Sequence, residues 1–142
     1  MEGRLAPVFH IQKIQAFQTW PIRQAAMWPD QSLEFVKLSK DEIGIHFGLF
    51  LKAELISVIS LFIDNQEAQF RKFATLPAYQ GQGLGTQLLA YSLNYLAALN
   101  LNNIWCNARL EKTEFYERFG LELTKRWFHR AGIDYVVMEK KL

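Results

Sequence analysis

Cysteine is nearly absent from this sequence of 142 residues, which contains Cys106 alone. A single cysteine excludes an internal disulfide framework and any zinc site built from several thiolates. Such sparse use of cysteine is typical of a reducing compartment, so we expect a cytoplasmic protein that needs no metal. Cys106 has no histidine beside it, and we expect it to be a small buried residue rather than a nucleophile.

Long apolar runs and blocks of like charge are also missing. No stretch approaches the ~18 apolar residues that a membrane-spanning helix requires. The first ten residues, MEGRLAPVFH, lack the apolar segment of a secretory signal peptide. The formal net charge is +2, and lysine and arginine form no stripe. We therefore expect neither a membrane nor a nucleic acid as partner.

Apolar and aromatic side chains, by contrast, are plentiful. Half of the residues are hydrophobic and 14% are aromatic, which is enough to build a core. The length fits one domain, and we predict that this domain spans residues 1–142. The aromatic content would also permit a homodimer, although no segment specifies an interface.

The order of the hydrophobic patterns predicts an α/β domain. Residues 8–13 alternate like a strand, residues 14–28 form a helical pattern that Pro21 should break, and residues 29–42 read as a long irregular loop. Further strands are predicted at 43–52, 55–63, 68–74 and 104–109, with a final hairpin formed by 121–129 and 135–140. A long helix follows Leu84, and a short one covers 111–119. The prediction is a mixed, mostly antiparallel sheet of about seven strands flanked by helices.

The segment QGQGLGTQ, residues 80–87, lies between a predicted strand and the long helix. A strand, a glycine loop and a helix N-terminus together form an anion site, because unpaired backbone N–H groups converge there. The segment therefore predicts a main-chain cradle for a phosphate or pyrophosphate. The alternative is that the glycines only shape the turn from strand to helix.

Two familiar nucleotide motifs match this segment poorly. A P-loop requires lysine after its last glycine, where this chain has Thr86. The dinucleotide fingerprint G-x-G-x-x-G/A is met at Gly81 and Gly83, but Thr86 again stands at the third position. The acidic residue expected about 20 residues later is also missing.

A third pattern fits the segment. Gln80-x-x-Gly83-x-Gly85 resembles the Q/R-x-x-G-x-G/A signature of the GNAT superfamily of N-acetyltransferases. The surrounding ATLPAYQGQGLGTQLL and the later EFYERFGLE resemble two sequence blocks of that family. The resemblance is strongest from Phe70 to Met138, and from Val8 to Ile63 it rests on the order of elements. It implies a GNAT-like single domain whose central strands splay apart at an acetyl-CoA site.

The resemblance also implies roles for individual residues. In this family the glycine loop binds the pyrophosphate of acetyl-CoA, and the pantetheine arm lies between the splayed strands. Gln80 would contact the phosphate or order the loop, and Asn107 would reach the arm unless it is only a polar residue at the end of a strand. The implied cofactor-binding residues are Phe73, Ala74, Thr75, Gln80, Gly81, Gln82, Gly83, Leu84, Gly85, Thr86 and Asn107.

Tyr116, in the FYERFG segment, resembles the tyrosine that protonates the departing thiolate in this family. The alternative is a tyrosine that only packs on the short helix. At the positions of Gln69 and Arg71, some relatives carry a Glu or His that acts as the general base. Arginine stays protonated, so Arg71 cannot take that role. Water, or one of the remaining carboxylates and imidazoles, would then take the proton; these are Glu34, His46, Glu54, His10 and His129.

The resemblance thus predicts an acyltransferase that moves the acetyl group of acetyl-CoA to a primary amine by direct attack. A small-molecule acceptor is expected, and Arg71, if it faces the pocket, would favour one that carries a carboxylate or phosphate. Two alternatives are a non-catalytic domain that binds or senses acyl-CoA and an acetyltransferase of protein N-termini or lysines.

Overall fold

The computed structural model describes residues 8–142, which form seven strands and four α-helices. No helix in this part of the chain is long and apolar enough to cross a membrane. The strands are β1 Phe9–Ile14, β2 Ile45–Leu51, β3 Glu54–Asp64, β4 Glu67–Thr75, β5 Asn103–Arg109, β6 Glu122–Arg130 and β7 Ile133–Lys141. The helices are α1 Ala16–Met27, α2 Leu33–Val36, α3 Leu84–Ala97 and α4 Thr113–Glu117, and short 3-10 turns lie at Asp41–Ile43, Pro77–Tyr79 and Leu110–Lys112.

All seven strands belong to one sheet, in the order β1-β2-β3-β4-β5-β7-β6. Only the β4–β5 pair is parallel, and the chain makes that crossover through α3. The other neighbouring pairs are antiparallel. The mixed, mostly antiparallel sheet predicted from the sequence is therefore confirmed.

The sheet carries a hydrophobic cluster on each face. On one face, Leu88, Leu89 and Leu96 of α3 are fully buried in the main core. Their spacing is that of a helix with one apolar side. On the other face, Ile22 of α1 packs in a smaller cluster with Val58 and Ala74. Ala74 therefore belongs to a strand that both helices cover.

The central strands β4 and β5 pair over only three residues, from Glu67 opposite Asn103 to Gln69 opposite Trp105. Beyond that point β4 contains a bulge, because Lys72 and Phe73 together oppose a single residue of β3. Lys72 adopts a left-handed conformation with φ 54°. A bulge bends its strand and interrupts the ladder, and this one coincides with the place where β4 and β5 part.

A buried ion pair fixes α1 to the sheet. Arg23 is 0% exposed and donates through both terminal nitrogens to Asp41, at 2.9 Å for each bond. The same guanidinium donates to the Val36 carbonyl and to the Ser60 hydroxyl of β3. The contacts join α1, the end of α2, a 3-10 turn and β3 into one wall beside the gap.

Two details of the predicted secondary structure are wrong. Helix α1 continues through Pro21 without a break. Pro21 is exposed, so the carbonyl that loses its N–H partner at this position can be satisfied by water. Residues 29–42 were predicted to be irregular, yet they contain α2 and the start of a 3-10 turn. The Arg23 hydrogen bonds to Val36 and Asp41 supply order that local sequence does not signal.

Candidate active site

A cleft of about 800 Å³ lies where β4 and β5 part. Its walls come from β4, the glycine loop, β5 and α4, and its size is that of a site for a small molecule or cofactor. Eleven of the residues singled out from the sequence line it: Arg71, Phe73, Ala74, Thr75, Gln80, Gly81, Gly83, Gly85, Thr86, Asn107 and Tyr116.

Two predicted residues do not line the cleft with their side chains. The Gln82 side chain turns back and donates weakly to the Ala78 carbonyl at 3.4 Å. The Leu84 side chain is buried in the main core. Their predicted contribution was a backbone N–H, which side-chain placement does not test.

The glycine loop uses its glycines in two ways. Gly83 is the N-cap of α3 and has φ 81°, in the region that side chains with a Cβ avoid. At Gly85 a side chain is excluded by lack of space rather than by the backbone conformation. A Cβ there would lie 3.2 Å from Thr75 Oγ1 and 3.3 Å from the Phe73 ring. The absence of a side chain at Gly85 therefore lets the first turn of α3 approach β4 closely.

The first turn of α3 presents unpaired donors to the cleft. The first backbone bond of the helix runs from the Gln87 N–H to the Gly83 carbonyl. The N–H groups of Leu84, Gly85 and Thr86 precede it and have no carbonyl partner within the helix. They add to the positive end of the dipole of a 14-residue helix. This end of the cleft can hold a phosphate with main-chain donors.

Gln80 has a structural contact within the loop. Its Nε2 donates to the Thr75 carbonyl at 2.8 Å, which ties the loop back to the end of β4. Of the two roles considered for this residue, ordering the loop is therefore the one for which the protein provides a contact.

The edge of β4 that faces the gap carries no ladder to β5 beyond Gln69. On its other edge the strand is well held: the Ser57 hydroxyl donates to the Ala74 carbonyl at 3.2 Å and lies 2.8 Å from Thr75 Oγ1. Residues 73–75 thus form a rigid strand with one free edge. An extended chain placed in the gap can pair with that edge as a neighbouring strand would.

Tyr116 projects from α4 into the same cleft. Its ring packs 5.7 Å from Phe70 and 5.3 Å from Phe115, measured between ring centroids. Burial raises the pKa of the phenol well above its usual value, with a further contribution from Cys106 nearby. The hydroxyl therefore keeps its proton throughout the neutral range.

Basic side chains outnumber acidic ones along the cleft. Arg71, Lys72, Arg109, Lys112 and Arg118 line it, against Glu111 and Glu114. Burial and the neighbouring Arg71 lower the pKa of Lys72 to about 8. Sequence reasoning missed Lys72, Arg109 and Tyr135 as lining residues. No local pattern marks them, because the bulge that turns Lys72 into the cleft depends on the pairing of β3 with β4.

None of the five groups considered as proton acceptors lines the cleft. His46 is a buried residue of β2, with its ring nitrogens 2.7 Å from the Ser60 hydroxyl and 2.8 Å from the Asp41 carbonyl. His10 stacks on Phe50 near the edge of the sheet, and His129 pairs with Asp134 on the surface. Glu34 pairs with Lys37 and Glu54 accepts a bond from Tyr79, so both are engaged elsewhere.

Cys106 is 2% exposed, and burial raises the pKa of its thiol to about 12. A thiol in this state is a poor nucleophile. The expectation of a small buried residue is confirmed. Among residues 8–142, no three His, Cys, Asp or Glu side chains cluster in a way that could hold a metal ion.

Comparison with known proteins adds to this geometry. Residues 22–142 match the model of the acetyltransferase (GNAT) domain family. The chain is similar to the uncharacterized N-acetyltransferase YitI of Bacillus subtilis, with 30% identity over 95% of this chain and 97% of that protein.

Solved structures agree on the fold. A crystal structure of a Lactobacillus plantarum protein superposes with a TM-score of 0.83 at 23% identity, covering 94% of this chain and 98% of that one. A GNAT family acetyltransferase from Elizabethkingia anophelis, crystallised with acetyl-CoA, superposes with a TM-score of 0.73 at 16% identity. That match covers 94% of this chain and 98% of the other.

Proposed function

Because the chain belongs to the GNAT family of acetyltransferases, we propose that it transfers the acetyl group of acetyl-CoA to a primary amine of a small molecule. The observation that carries the proposal is that the glycine loop, the free edge of β4 and the Tyr116 hydroxyl all open onto one cleft. One end of that cleft is suited to a phosphate and its middle to an extended chain, and the Tyr116 hydroxyl offers a proton donor in the same cleft.

The residues of the cleft fit acetyl-CoA. The N–H groups of residues 81–86 would bind the pyrophosphate, helped by the open space beside Gly81 and Gly83. The backbone of Phe73, Ala74 and Thr75 would pair with the pantetheine arm, and Asn107 would reach the arm from β5. Bound acetyl-CoA would supply the thioester that the amine attacks.

Tyr116 would act as the general acid. Its phenol holds a proton at neutral pH, as an ordinary phenol with a pKa of ~10 does, and burial raises that pKa further. A proton donated to the departing sulfur lowers the barrier to breaking the carbon–sulfur bond. The reaction as a whole converts an ammonium and a thioester into an amide, a thiol and one released proton, so the proton that Tyr116 gives up is restored from the acceptor nitrogen.

The ammonium must lose a proton before it attacks, and the positive field of the cleft favours that loss. A like charge nearby disfavours the charged form of an amine and lowers its pKa. Arg71, Lys72 and Arg109 would therefore raise the neutral fraction of a bound acceptor amine without any dedicated base. Water would carry the proton away.

A small acceptor is favoured over a protein lysine. A lysine side chain is cationic, and the acidic residues that would attract it are outnumbered by basic ones in the cleft. We further propose that residues 1–142 act as one domain and that the enzyme works in the cytoplasm, where its buried Cys106 stays reduced.

Calorimetric titration tests the cofactor assignment, with acetyl-CoA, desulfo-CoA, ADP and NAD as ligands. We expect acetyl-CoA and desulfo-CoA to bind and NAD not to bind. A thiol-release assay with a panel of amines then tests catalysis. Thiol release that depends on an amine supports the enzyme, whereas binding without turnover for every amine would favour the sensing domain. Failure of every acyl-CoA to bind would refute the assignment.

A further inference from the structure

Four basic side chains from three strands lie near one another at the cleft, and three of them, Arg71, Lys72 and Arg109, line it. Arg71 and Lys72 belong to β4, Arg109 ends β5, and Arg130 ends β6. Burial and the charge of Arg130 lower the pKa of Arg71, while burial and the charges of Arg71, Arg109 and Arg130 lower that of Lys72. The four groups therefore repel one another. We call them the cationic end of the cleft.

In the described part of the chain, no carboxylate forms an ion pair with the cationic end. Within residues 8–142, none of its four members forms a salt bridge or a side-chain hydrogen bond. Asp41 is the one acidic group that acts on Arg71, and Arg23 already holds it with two bonds. The chain has a formal net charge of only +2, so this concentration of positive charge is local.

The backbone conformation of Lys72 is unfavourable, in addition to the partial burial of its charge. A non-glycine residue at φ 54° carries backbone strain. The bulge nevertheless places this lysine in the cleft beside Arg71. Half-buried cations that repel one another beside a cleft mark a candidate functional site, and an anionic ligand would relieve their repulsion.

The phosphates held by the glycine loop would lie toward the Thr75 end of β4, on the far side of Phe73 from Arg71. Gly85 packs on Phe73 and Thr75, at the end of β4. Arg71 precedes Thr75 by four residues, which corresponds to about 13 Å along a strand. Arg71 also borders a second cavity of about 530 Å³, which Gln69, Trp105 and Lys40 line as well. Its side chain therefore faces open space.

We propose that the acceptor is a primary amine that also carries an anionic group, a carboxylate or a phosphate, and that Arg71 and Lys72 bind this group with help from Arg109. This inference rests on the proposed function, because it names the class of acceptor for the same site. Arginine grips either anion through paired hydrogen bonds, and lysine adds a point charge. Arg109 lies against the Trp28 ring, with its guanidinium carbon 6.0 Å from the ring centre, which holds it at the mouth of the site.

The first experiment measures the anion site without needing the true acceptor. Inorganic phosphate and acetate are titrated by calorimetry into protein saturated with CoA, so that the glycine loop is already filled. We expect phosphate or acetate to bind at millimolar concentration. Absence of binding by both anions would overturn the proposal. Stronger binding of one would distinguish a phosphate-bearing acceptor from a carboxylate-bearing one.

Lys72→Gly removes the charge and fits the backbone, since glycine prefers the left-handed region. Lys52→Gly is the matched control, because Lys52 is an exposed lysine at φ 50° in the turn between β2 and β3. We expect Lys72→Gly to weaken anion binding about tenfold, the usual cost of losing one charge-assisted hydrogen bond. Lys52→Gly should leave it unchanged. Equal anion affinity in the two variants would refute the role of Lys72.

The pH dependence of anion affinity distinguishes a binding role of Lys72 from a purely structural one, because only a binding role ties the affinity to the charge of this lysine. Lys72 faces Arg71, Arg23, Arg109 and Arg130, all of which stay protonated, so Lys72 alone loses its charge near pH 8. The affinity for acetate, whose own charge is constant over this interval, should therefore fall between pH 7 and 9 in the wild type. Lys72→Arg keeps its charge and should abolish that fall. A wild-type affinity that does not change over this interval would contradict the assignment.

Turnover separates this inference from the proposed function. Amines are compared in pairs that differ by the anion alone, such as ethanolamine with phosphoethanolamine and phenethylamine with phenylalanine. We expect kcat/KM to be at least about tenfold higher for the anionic member of a pair. If the neutral members are acetylated equally well, the acceptor class is wrong while the transferase stands. If acetyl-CoA does not bind at all, the proposed function fails, whatever the result with phosphate.

Discussion

The two ends of the cleft recognise anions by different means. At the glycine end, residues 81–86 offer backbone N–H groups and a helix dipole, and glycine lets them come close. At the cationic end, the charge belongs to the side chains of Arg71, Lys72, Arg109 and Arg130, which reach one place from three strands. A backbone site depends on a local chain path and is shared by proteins with the same motif. A side-chain site depends on the register of distant strands and can differ in each member of a family.

The largest expected effect is a loss of stability when the buried ion pair beside the cationic end is broken. Arg23→Met leaves Asp41 buried beside β3 without its charged partner, and we expect the free energy of unfolding to fall by about 3–5 kcal/mol. Denaturant titration measures the loss. The control is Lys37→Met, which removes an exposed pair with Glu34 on the same wall and should cost less than about 1 kcal/mol. Similar losses in the two variants would show that the Arg23 pair does not secure the wall.

Tyr116→Phe tests whether the Tyr116 hydroxyl acts as the general acid of the cleft. Because only the hydroxyl is removed, we expect kcat to fall about 100-fold while the affinities for acetyl-CoA and for anions stay constant. Steady-state kinetics and calorimetry on the same preparation measure both quantities. Tyr95→Phe is the control, since Tyr95 packs on Phe47 through its ring and does not line the cleft. An unchanged kcat for Tyr116→Phe would exclude the general-acid role.

Gly83→Ala sharpens the contrast at the glycine end. Alanine at φ 81° introduces strain of about 1–3 kcal/mol, and relief of that strain would displace the N–H groups of the loop. We expect acetyl-CoA to bind about tenfold more weakly, measured by calorimetry. Gly132→Ala provides the same strain, with φ 80° and no neighbour within 4 Å, in the β6–β7 turn. If both substitutions weaken acetyl-CoA binding equally, the glycine loop is not its site.

The last prediction concerns the loss of stability in acid. Burial alone would raise the pKa of Asp41, but hydrogen bonds from Arg23, the Leu38 N–H and Trp20 outweigh it and hold the pKa below its ordinary value. The unfolded carboxyl therefore takes up its proton at a higher pH than the folded one. Stability from this group is present above about pH 4 and is lost as pH falls through the folded pKa. Asp41→Asn should be less stable at pH 7 and should lose less stability between pH 5 and 3, as followed by thermal unfolding.

The regular part of the fold could be predicted because its signals are local. Apolar periodicity marked the seven strands and α3, whereas the short helix predicted at 111–119 is limited to Thr113–Glu117 and ends before Gly120. Pro21 misled the prediction, since a single exposed proline costs α1 only one backbone bond. Order in residues 29–42 was missed because it comes from Arg23, a residue outside that segment.

The sequence by itself determined the glycine loop, its place between a strand and a helix, and the family to which the chain belongs. These follow from residue types at short spacing, because backbone conformation and helix capping act over a few residues. Only the tertiary structure decided that β4 bulges at Lys72 and that Arg71, Lys72 and Arg109 line one cleft with Arg130 nearby. Their proximity depends on strand pairing and on β4 parting from β5, and both depend on contacts between residues far apart in the chain.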